Sequence, residues 1–459
     1  MLLLSALPAR AHAAEQGFVL LLPTDFYITT GITVVALTAI AIAALPASFS
    51  GRAFATARIP GPRMSHLPPI VSSLLTSILL AALIVVGMTG SGDPLSNPLP
   101  LTVWTIWWAL FLFLQGMLGD IWKWLNPWTG LYSILFASGD RRLIPLPAQF
   151  GSAIGILALL AFSAFALADP APDYPPRLAA FTAGYWLFTF AGMVVFGERD
   201  WLARCECFTI LFRLFATVTS ARFDSPHIRI GLPGWQIATG PALTGTAAVF
   251  VLAALAIGSF DGLNETFWWL SVIGINPLEF PGRSSVIAET LAGIALSTAL
   301  LIAVFALCVR AGNELARLSP DTNNGPGFMT AFRRLAPSVL PITLGYHFAH
   351  YLTSFMVNGQ YALAAVNDPF STGADLFGVG EFYVTTGFFN TRHTVRVILL
   401  TQCVAIVAGH VFAVLAAHRI AVDLYRTPRR AALSQIPMAI FMVCYTLLSL
   451  WLLASPRGA

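Results

Sequence analysis

Two histidines lie in the middle of an apolar segment, GYHFAHYLTSF, at residues 345–355. His347 and His350 are three positions apart, so on a helix they project from the same face. Lipid offers no partner to a polar nitrogen, so an imidazole in a membrane-spanning helix must be hydrogen bonded within the protein or serve a function. Tyr346 and Ser354 lie one turn to either side of His350 and extend the same polar stripe.

A second set of polar residues occurs in the next apolar segment. Gln402 and His410 are eight positions apart, which places them near one face of a helix. Counting at about 1.5 Å per residue from the predicted helix ends, His347 and His410 lie at similar depth. If the two helices pack side by side, His347, His350 and His410 meet. The sequence therefore predicts one site formed by these three side chains.

Several chemistries are compatible with three imidazoles at one depth. Three histidines and an open position suit zinc or copper, which is the site we predict. Two facing histidines would instead hold a haem iron, and a chain of histidines and carboxylates can relay protons in a transporter. In a purely structural interpretation, each imidazole donates one hydrogen bond to a neighbouring carbonyl. The residues alone leave these alternatives open.

The composition sets the class of protein. Of the 459 residues, 57% are hydrophobic and only 10% are charged, whereas soluble domains have about 25% charged residues. Apolar segments alternate with loops rich in Gly, Pro, Asn and Asp, and no loop is long enough for a separate soluble domain. We therefore predict an all-α polytopic membrane helix bundle that forms one transmembrane domain over 14–459. Its predicted partner is the lipid bilayer, and we predict no binding of nucleic acid. The ten predicted spans are 26–46, 69–88, 101–119, 148–168, 178–197, 238–259, 285–309, 335–357, 394–418 and 433–453.

The basic residues indicate an orientation. If the N-terminus is periplasmic, most of the 25 Lys and Arg residues fall in the cytoplasmic connections, as the positive-inside rule requires. We predict a bacterial inner (cytoplasmic) membrane protein with both termini in the periplasm. The periplasmic connections are acidic and include Asp261 and Glu265. Residues 259–262, Ser-Phe-Asp-Gly, are predicted to form a turn on that side.

The N-terminal segment has the features of a signal peptide. A short apolar run is followed by small residues, and we predict that residues 1–13 are a signal peptide. If cleavage follows Ala11, His12 becomes the mature N-terminus. Its α-amino and imidazole nitrogens would then form a chelate that suits copper(II).

Two connections are rich in tryptophan. Residues 119–125 and 197–202 each combine a Gly-acid pair with tryptophan and basic residues. They are predicted to form amphipathic interfacial helices. The predicted aromatic belt at headgroup depth consists of Trp122, Trp124, Trp128 and Trp201.

Three motifs carry a resemblance to a known family. They are EQGFVLLLPTDFYITTG at 15–31, GDIWKWLNPW at 119–128 and GYHFAHYLTSFMVNGQY at 345–361. Over most of its length the chain resembles a family of bacterial integral membrane proteins labelled fenitrothion hydrolase, an organophosphate hydrolase. The resemblance implies hydrolysis of a phosphotriester, with a second protein subunit as a candidate partner.

The hydrolase expectation can be stated as chemistry. A metal would lower the pKa of bound water and polarise the phosphoryl oxygen, with His347, His350 and His410 as ligands. The substrate would be a small apolar molecule entering from the bilayer. Two-metal hydrolytic sites usually combine His with Asp or Glu, and the eighth and ninth spans contain no Asp or Glu. The other functions considered are a copper-type metal-ion transporter and a bis-histidine haem electron carrier.

Overall fold

The computed structural model describes most of the chain. The described residues are 19, 21–45, 47–61, 69–136, 142–224, 226–319, 325–378, 380 and 383–457. The predicted signal peptide at residues 1–13, with His12, lies outside the described residues.

Long helices dominate the structure and confirm the all-α polytopic bundle. In the part of the chain that is described, one helix corresponds to each of the ten predicted spans, and eight of these are long and apolar enough to cross a membrane. Of the other two, α4 has only 16 residues, and α8 has 28 but carries several polar side chains. The helices are α1 Thr24–Ala44, α2 Pro69–Thr89, α3 Pro98–Leu118, α4 Ala153–Ala168, α5 Pro175–Phe196, α6 Gly245–Asn264, α7 Ile287–Arg317, α8 Leu340–Asn367, α9 Arg392–Tyr425 and α10 Pro428–Ala454.

The sixth helix extends further than its hydropathy indicates. The turn predicted at residues 259–262 is wrong, because this segment is the last part of α6, which continues to Asn264. Phe260 is buried there, and its ring packs edge-on against Trp269 at a centroid distance of 5.2 Å. Because Phe260 packs in the core, the chain stays helical at this point. Asp261 therefore lies in the helix bundle and not in a loop.

Helices α8 and α9 pack side by side, which is the condition that the three-histidine site requires. A Cβ atom at Gly345 would collide with the carbonyl oxygen of Ala405, and one at Gly409 would lie 2.5 Å from the carbonyl oxygen of Pro341. Small residues at such contacts allow the backbones of membrane helices to approach closely. The two glycines therefore determine how near the two helices come.

The third helix has an unusual winding. Residues Leu101–Phe111 form a π-helix within the continuous helix Pro98–Leu118. π-Helical turns are rare and occur frequently at functional sites. This segment carries Trp104 and Trp108, both of which line the cavity described below.

The two tryptophan-rich connections form short helices, Trp122–Leu125 and Glu198–Arg204. The aromatic-belt prediction is wrong for Trp122, Trp128 and Trp201, whereas Trp124 is only half-buried. The side chains of Trp122, Trp128 and Trp201 are buried in the hydrophobic core. The protein folds over these indoles, so they stabilise its interior and do not face the lipid headgroups.

A short buried helix, Cys207–Phe215, borders the cavity that is described in the next subsection. Its N-cap is Glu206, a fully buried acid that accepts hydrogen bonds from the backbone N–H groups of Phe208 at 2.9 Å and Thr209 at 2.5 Å. The hydroxyl of Tyr185 also donates to this carboxylate. These donors satisfy an acid that would otherwise be costly to bury.

A small antiparallel sheet was not predicted from the sequence. Its strands are β1 Ala57–Pro60, β2 Ala221–Asp224 and β3 His227–Ile230, and their order is β1-β3-β2. The sheet joins the connection that follows α1 to the connection that follows the buried helix. Each strand has only four residues, which is too short to give a clear alternating pattern.

Replacing the buried cap tests its contribution to the fold. We expect Glu206→Ala to lower the free energy of unfolding by about 1–3 kcal/mol, because two buried N–H groups lose their acceptor. Thermal unfolding in nanodiscs measures the change. The control is Glu314→Ala, which removes an ion pair with Arg317 whose carboxylate side chain is 52% exposed, and exposed pairs contribute at most about 1 kcal/mol. Equal effects of the two substitutions would contradict the structural role of Glu206.

Candidate functional site

A large cavity lies between the helices. Its volume is about 910 Å³, within the range of about 300–1,000 Å³ that ligand sites occupy. Residues from α3, α4, α6 and α8 line it, and Leu211 and Phe215 of the buried helix close its floor. The apolar part of the wall includes Trp104, Trp108, Leu159, Phe162, Ala254 and Ile257.

One wall of the cavity contains a histidine–carboxylate pair. The Nε2 atom of His350 on α8 lies 3.2 Å from Oδ2 of Asp261 on α6, and the side chains are 9% and 17% exposed. A carboxylate only accepts hydrogen bonds, so Nε2 carries a proton, and in the singly protonated form of the ring Nδ1 keeps its lone pair. The Nδ1 atom is buried and makes no hydrogen bond within the described part of the chain.

Two further donors hold the carboxylate in place. The hydroxyl of Tyr351 donates to Oδ2 of Asp261 at 2.6 Å, and Nε1 of Trp108 donates to the Tyr351 hydroxyl at 2.8 Å. Hydrogen bonds to an ionised acceptor are stronger than those between neutral groups. The chain from Trp108 through Tyr351 to Asp261 fixes the acid that orients His350.

A glycine allows a tyrosine to approach the same pair. The rings of Tyr346 and His350 are stacked, with centroids 5.8 Å apart. A Cβ atom at Gly262 would collide with the Tyr346 hydroxyl and would lie 3.7 Å from Nδ1 of His350. Like that Nδ1, the buried hydroxyl has no hydrogen-bond partner within the described part of the chain. Both unused polar atoms therefore lie over the same backbone position of α6.

The first predicted histidine connects two helices. Nε2 of His347 lies 3.0 Å from the carbonyl oxygen of Trp108 and 3.2 Å from that of Ala109, both in the π-helical segment. Carbonyl oxygens accept only, so Nε2 carries the proton and donates to both. His347 also lines the cavity. These contacts match the structural interpretation, in which an imidazole donates to a neighbouring carbonyl.

The third predicted histidine lies elsewhere. His410 is fully buried, its Nδ1 is 2.8 Å from the carbonyl oxygen of Ile406, and its ring is 6.4 Å from that of Tyr445 on α10. It is not among the cavity-lining residues. The structure therefore brings His347 and His350 to one cavity and places His410 against α10.

The placement of the three histidines does not give a common ligand set. His347 uses Nε2 for two carbonyl groups, and His410 faces a different helix. Among the described residues, no group of three or more His, Cys, Asp and Glu side chains could hold a metal ion. Binding of zinc or copper by His347, His350 and His410 stays a prediction, as does binding of haem.

Sequence reasoning missed the partner of His350. Asp261 was assigned to a loop because the apolar run ends before it, yet it lies in the last part of α6. The sequence does contain a signal: after this acid no proline occurs until Pro277, so nothing in that stretch forces the helix to end at residue 259. The carboxylate that the eighth and ninth spans lack is therefore supplied by the sixth.

Comparisons with known proteins identify no relative of this chain: no protein family, curated protein or solved structure matches it. The resemblance to the fenitrothion hydrolase family stays an expectation that depends on its three motifs.

Substitution of Gly262 tests the geometry of the pair. We expect Gly262→Ala to destabilise the protein by about 1–3 kcal/mol, because the added methyl group displaces the Tyr346 ring from a packed position. The control is Gly258→Ala in the same helix, where a Cβ atom would meet nothing within 4 Å. Thermal unfolding of both variants in nanodiscs gives the comparison. If Gly262→Ala were as stable as Gly258→Ala, the close approach of Tyr346 would be disproved.

Proposed function

We propose that this integral membrane protein binds a small, largely apolar molecule in its cavity, and that Asp261 and His350 act there as a general base. The proposed reaction is hydrolysis of an uncharged phosphotriester, the substrate class that the resemblance implies. One observation carries the proposal: His350 lines the cavity, its Nε2 is held by a buried carboxylate, and its Nδ1 is unpartnered among the described residues.

The cavity wall supports an apolar substrate. Three large aromatic residues, Trp104, Trp108 and Phe162, contact one another there, with ring centroids 5.9 and 4.9 Å apart for the two pairs that include Phe162. Burying apolar area against such a wall contributes about 25 cal/mol per Å². An ester with an aromatic leaving group would place that ring against the indoles, and its phosphoryl group would lie toward His350.

The proposed step balances in protons and charge. The step requires a water molecule to reach Nδ1 of His350, which is buried in this structure. Nδ1 then accepts a proton from that water as the water oxygen forms a bond to phosphorus. The bond from phosphorus to the leaving-group oxygen breaks, and the leaving group departs as an aryloxide that takes up the proton. The imidazolium formed in between is stabilised by the carboxylate of Asp261, and general-base catalysis of this kind contributes about 10²–10⁴-fold.

The residues behind the pair act as positioning residues. Tyr351 and Trp108 hold Asp261 through hydrogen bonds of 2.6 and 2.8 Å. They do not need to touch the substrate to affect the rate, because the orientation of His350 depends on the carboxylate. The same arrangement, an acid that fixes the tautomer of a histidine base, supports nucleophile activation in hydrolases.

Transport is the second candidate function. Histidine–carboxylate pairs inside membrane helices serve as proton relays in transporters, and Asp261 and His350 are such a pair. In that case the cavity would be a binding site on a translocation pathway, for a metal ion or another small substrate. Uptake into proteoliposomes without hydrolysis of the substrate would favour this candidate.

Hydrolysis can be followed directly with a fenitrothion-type ester. We expect His350→Ala and Asp261→Asn to lower kcat by about 10²–10⁴-fold, measured by release of the nitrophenolate from protein in nanodiscs. The control is His393→Ala, at an exposed position at the start of α9, which should retain wild-type activity. His418 contacts Gln435 at 3.1 Å. Replacing His418 with alanine should lower kcat less than replacing His350. Full activity in both cavity variants would refute the general-base proposal.

Elemental analysis separates the general base from the predicted metal site. The general-base proposal requires no metal, so under it the purified protein contains zinc and copper at well below one ion per chain. In the structure His347 donates its Nε2 proton to two carbonyl groups and the His410 ring lies near Tyr445 of α10. Near-stoichiometric metal that is lost in His347→Ala and in His410→Ala would contradict this expectation. It would instead support the three-histidine site predicted from the sequence.

A further inference from the structure

The three-stranded sheet has one strongly basic face. In the register of the strands, Arg58 on β1 and Arg222 on β2 both lie opposite Arg229 on the central strand β3. Successive side chains of a strand alternate between the two faces, so the three guanidinium groups form a row on one face. Such a row is unusual, because like charges directly opposite one another destabilise a sheet.

Only part of this charge is compensated within the protein. Asp224 pairs with Arg222 at 3.0 Å and also with Arg229. Arg58 is exposed and makes no ion pair with another described residue. One carboxylate thus accompanies three arginines, and the face retains a positive charge that attracts anions.

The opposite face of the same sheet is apolar and exposed. Ile59, Phe223 and Ile230 are 41%, 48% and 40% exposed. Ile59 and Phe223 both lie opposite Ile228 of β3, so they form a continuous apolar row. A sheet with exposed isoleucine and phenylalanine on one face and arginines on the other is amphipathic in the way that interfacial membrane segments are.

The sheet is attached to the ends of membrane-spanning helices. β1 follows the end of α1 after one short helix, Ala47–Ala53. On the other side, the hydroxyl of Thr219, two residues before β2, donates at 2.8 Å to the carbonyl oxygen of Met117 near the end of α3. The sequence predicts this end of the bundle to be cytoplasmic, and the cytoplasmic leaflet of a membrane carries anionic lipids.

We propose that this sheet lies in the membrane interface and binds anionic phospholipid headgroups. The apolar row enters the boundary between headgroups and acyl chains, and the arginines bind the lipid phosphates. Lipid is the partner that suits both faces together, because one lipid molecule carries apolar chains and an anionic headgroup. The sheet joins two distant connections, so bound lipid also ties the ends of α1 and α3 to the membrane surface. The inference is independent of the chemistry in the cavity.

Lipid retention and stability test the basic face. The full-length protein is compared in phosphatidylcholine nanodiscs with and without phosphatidylglycerol, and retained lipids are counted by native mass spectrometry. We expect the Arg58→Gln, Arg222→Gln double variant to bind phosphatidylglycerol about 30-fold more weakly, since each basic residue near the surface contributes about 1 kcal/mol. The control is Arg392→Gln at the start of α9, which should bind as the wild type does. The proposal would be overturned if the double variant bound phosphatidylglycerol as tightly as the wild type. It would also be overturned if inorganic phosphate alone stabilised the protein as much as phosphatidylglycerol does.

A second measurement tests the apolar face and does not depend on charge. The fluorescence of the new indole in the Phe223→Trp variant is obtained as the difference from the wild-type signal. It should be quenched by phosphatidylglycerol brominated on its acyl chains, because residue 223 would lie in the membrane. The matched control is Tyr383→Trp, at an exposed loop position, which should not be quenched. Absence of quenching at residue 223, or burial of that residue against a second copy or a soluble protein, would contradict the interfacial position.

Discussion

The carboxylate of Asp261 is the buried charge on which the arrangement of the site depends. A charged side chain within a membrane-spanning helix is costly, and such residues turn to the interior of a bundle and pair there. Asp261 is stabilised by His350 and by Tyr351, which Trp108 supports in turn. These donors come from α3 and α8, so the acid on α6 holds three helices in a defined relation around the cavity. A polar group that would be a liability in lipid thus becomes the element that orients a basic nitrogen.

The positions of the spans could be predicted from the sequence, and the directions of their side chains could not. Hydropathy reports the free energy of moving a segment into lipid, which is a property of that segment alone. The face that a helix turns to its neighbours depends on packing with segments far away in the chain. His347 and His410 were predicted at one depth, yet they face α3 and α10 respectively. The close contact of α8 and α9 depends on Gly345 and Gly409. The ring of His410, next to Gly409, lies near Tyr445 of α10.

The other differences have equally local causes. Trp122, Trp128 and Trp201 follow the pattern of an interfacial belt in sequence, but a short buried helix and α5 pack around them. The sheet escaped prediction because its four-residue strands come from connections more than 150 residues apart. The end of α6 was misplaced because hydropathy falls at Asp261, although the helix continues through the buried Phe260.

The separation of Asp261 from its partners along the chain has a consequence for biosynthesis. Tyr351 follows the acid by 90 residues, so α6 and then α7 leave the ribosome before either partner exists. During that interval the carboxylate must remain hydrated, and its place only three residues before the end of α6 leaves it near the aqueous boundary. The cavity therefore cannot close before the eighth helix is inserted. We expect α6 to reach its final depth in the membrane only after that insertion.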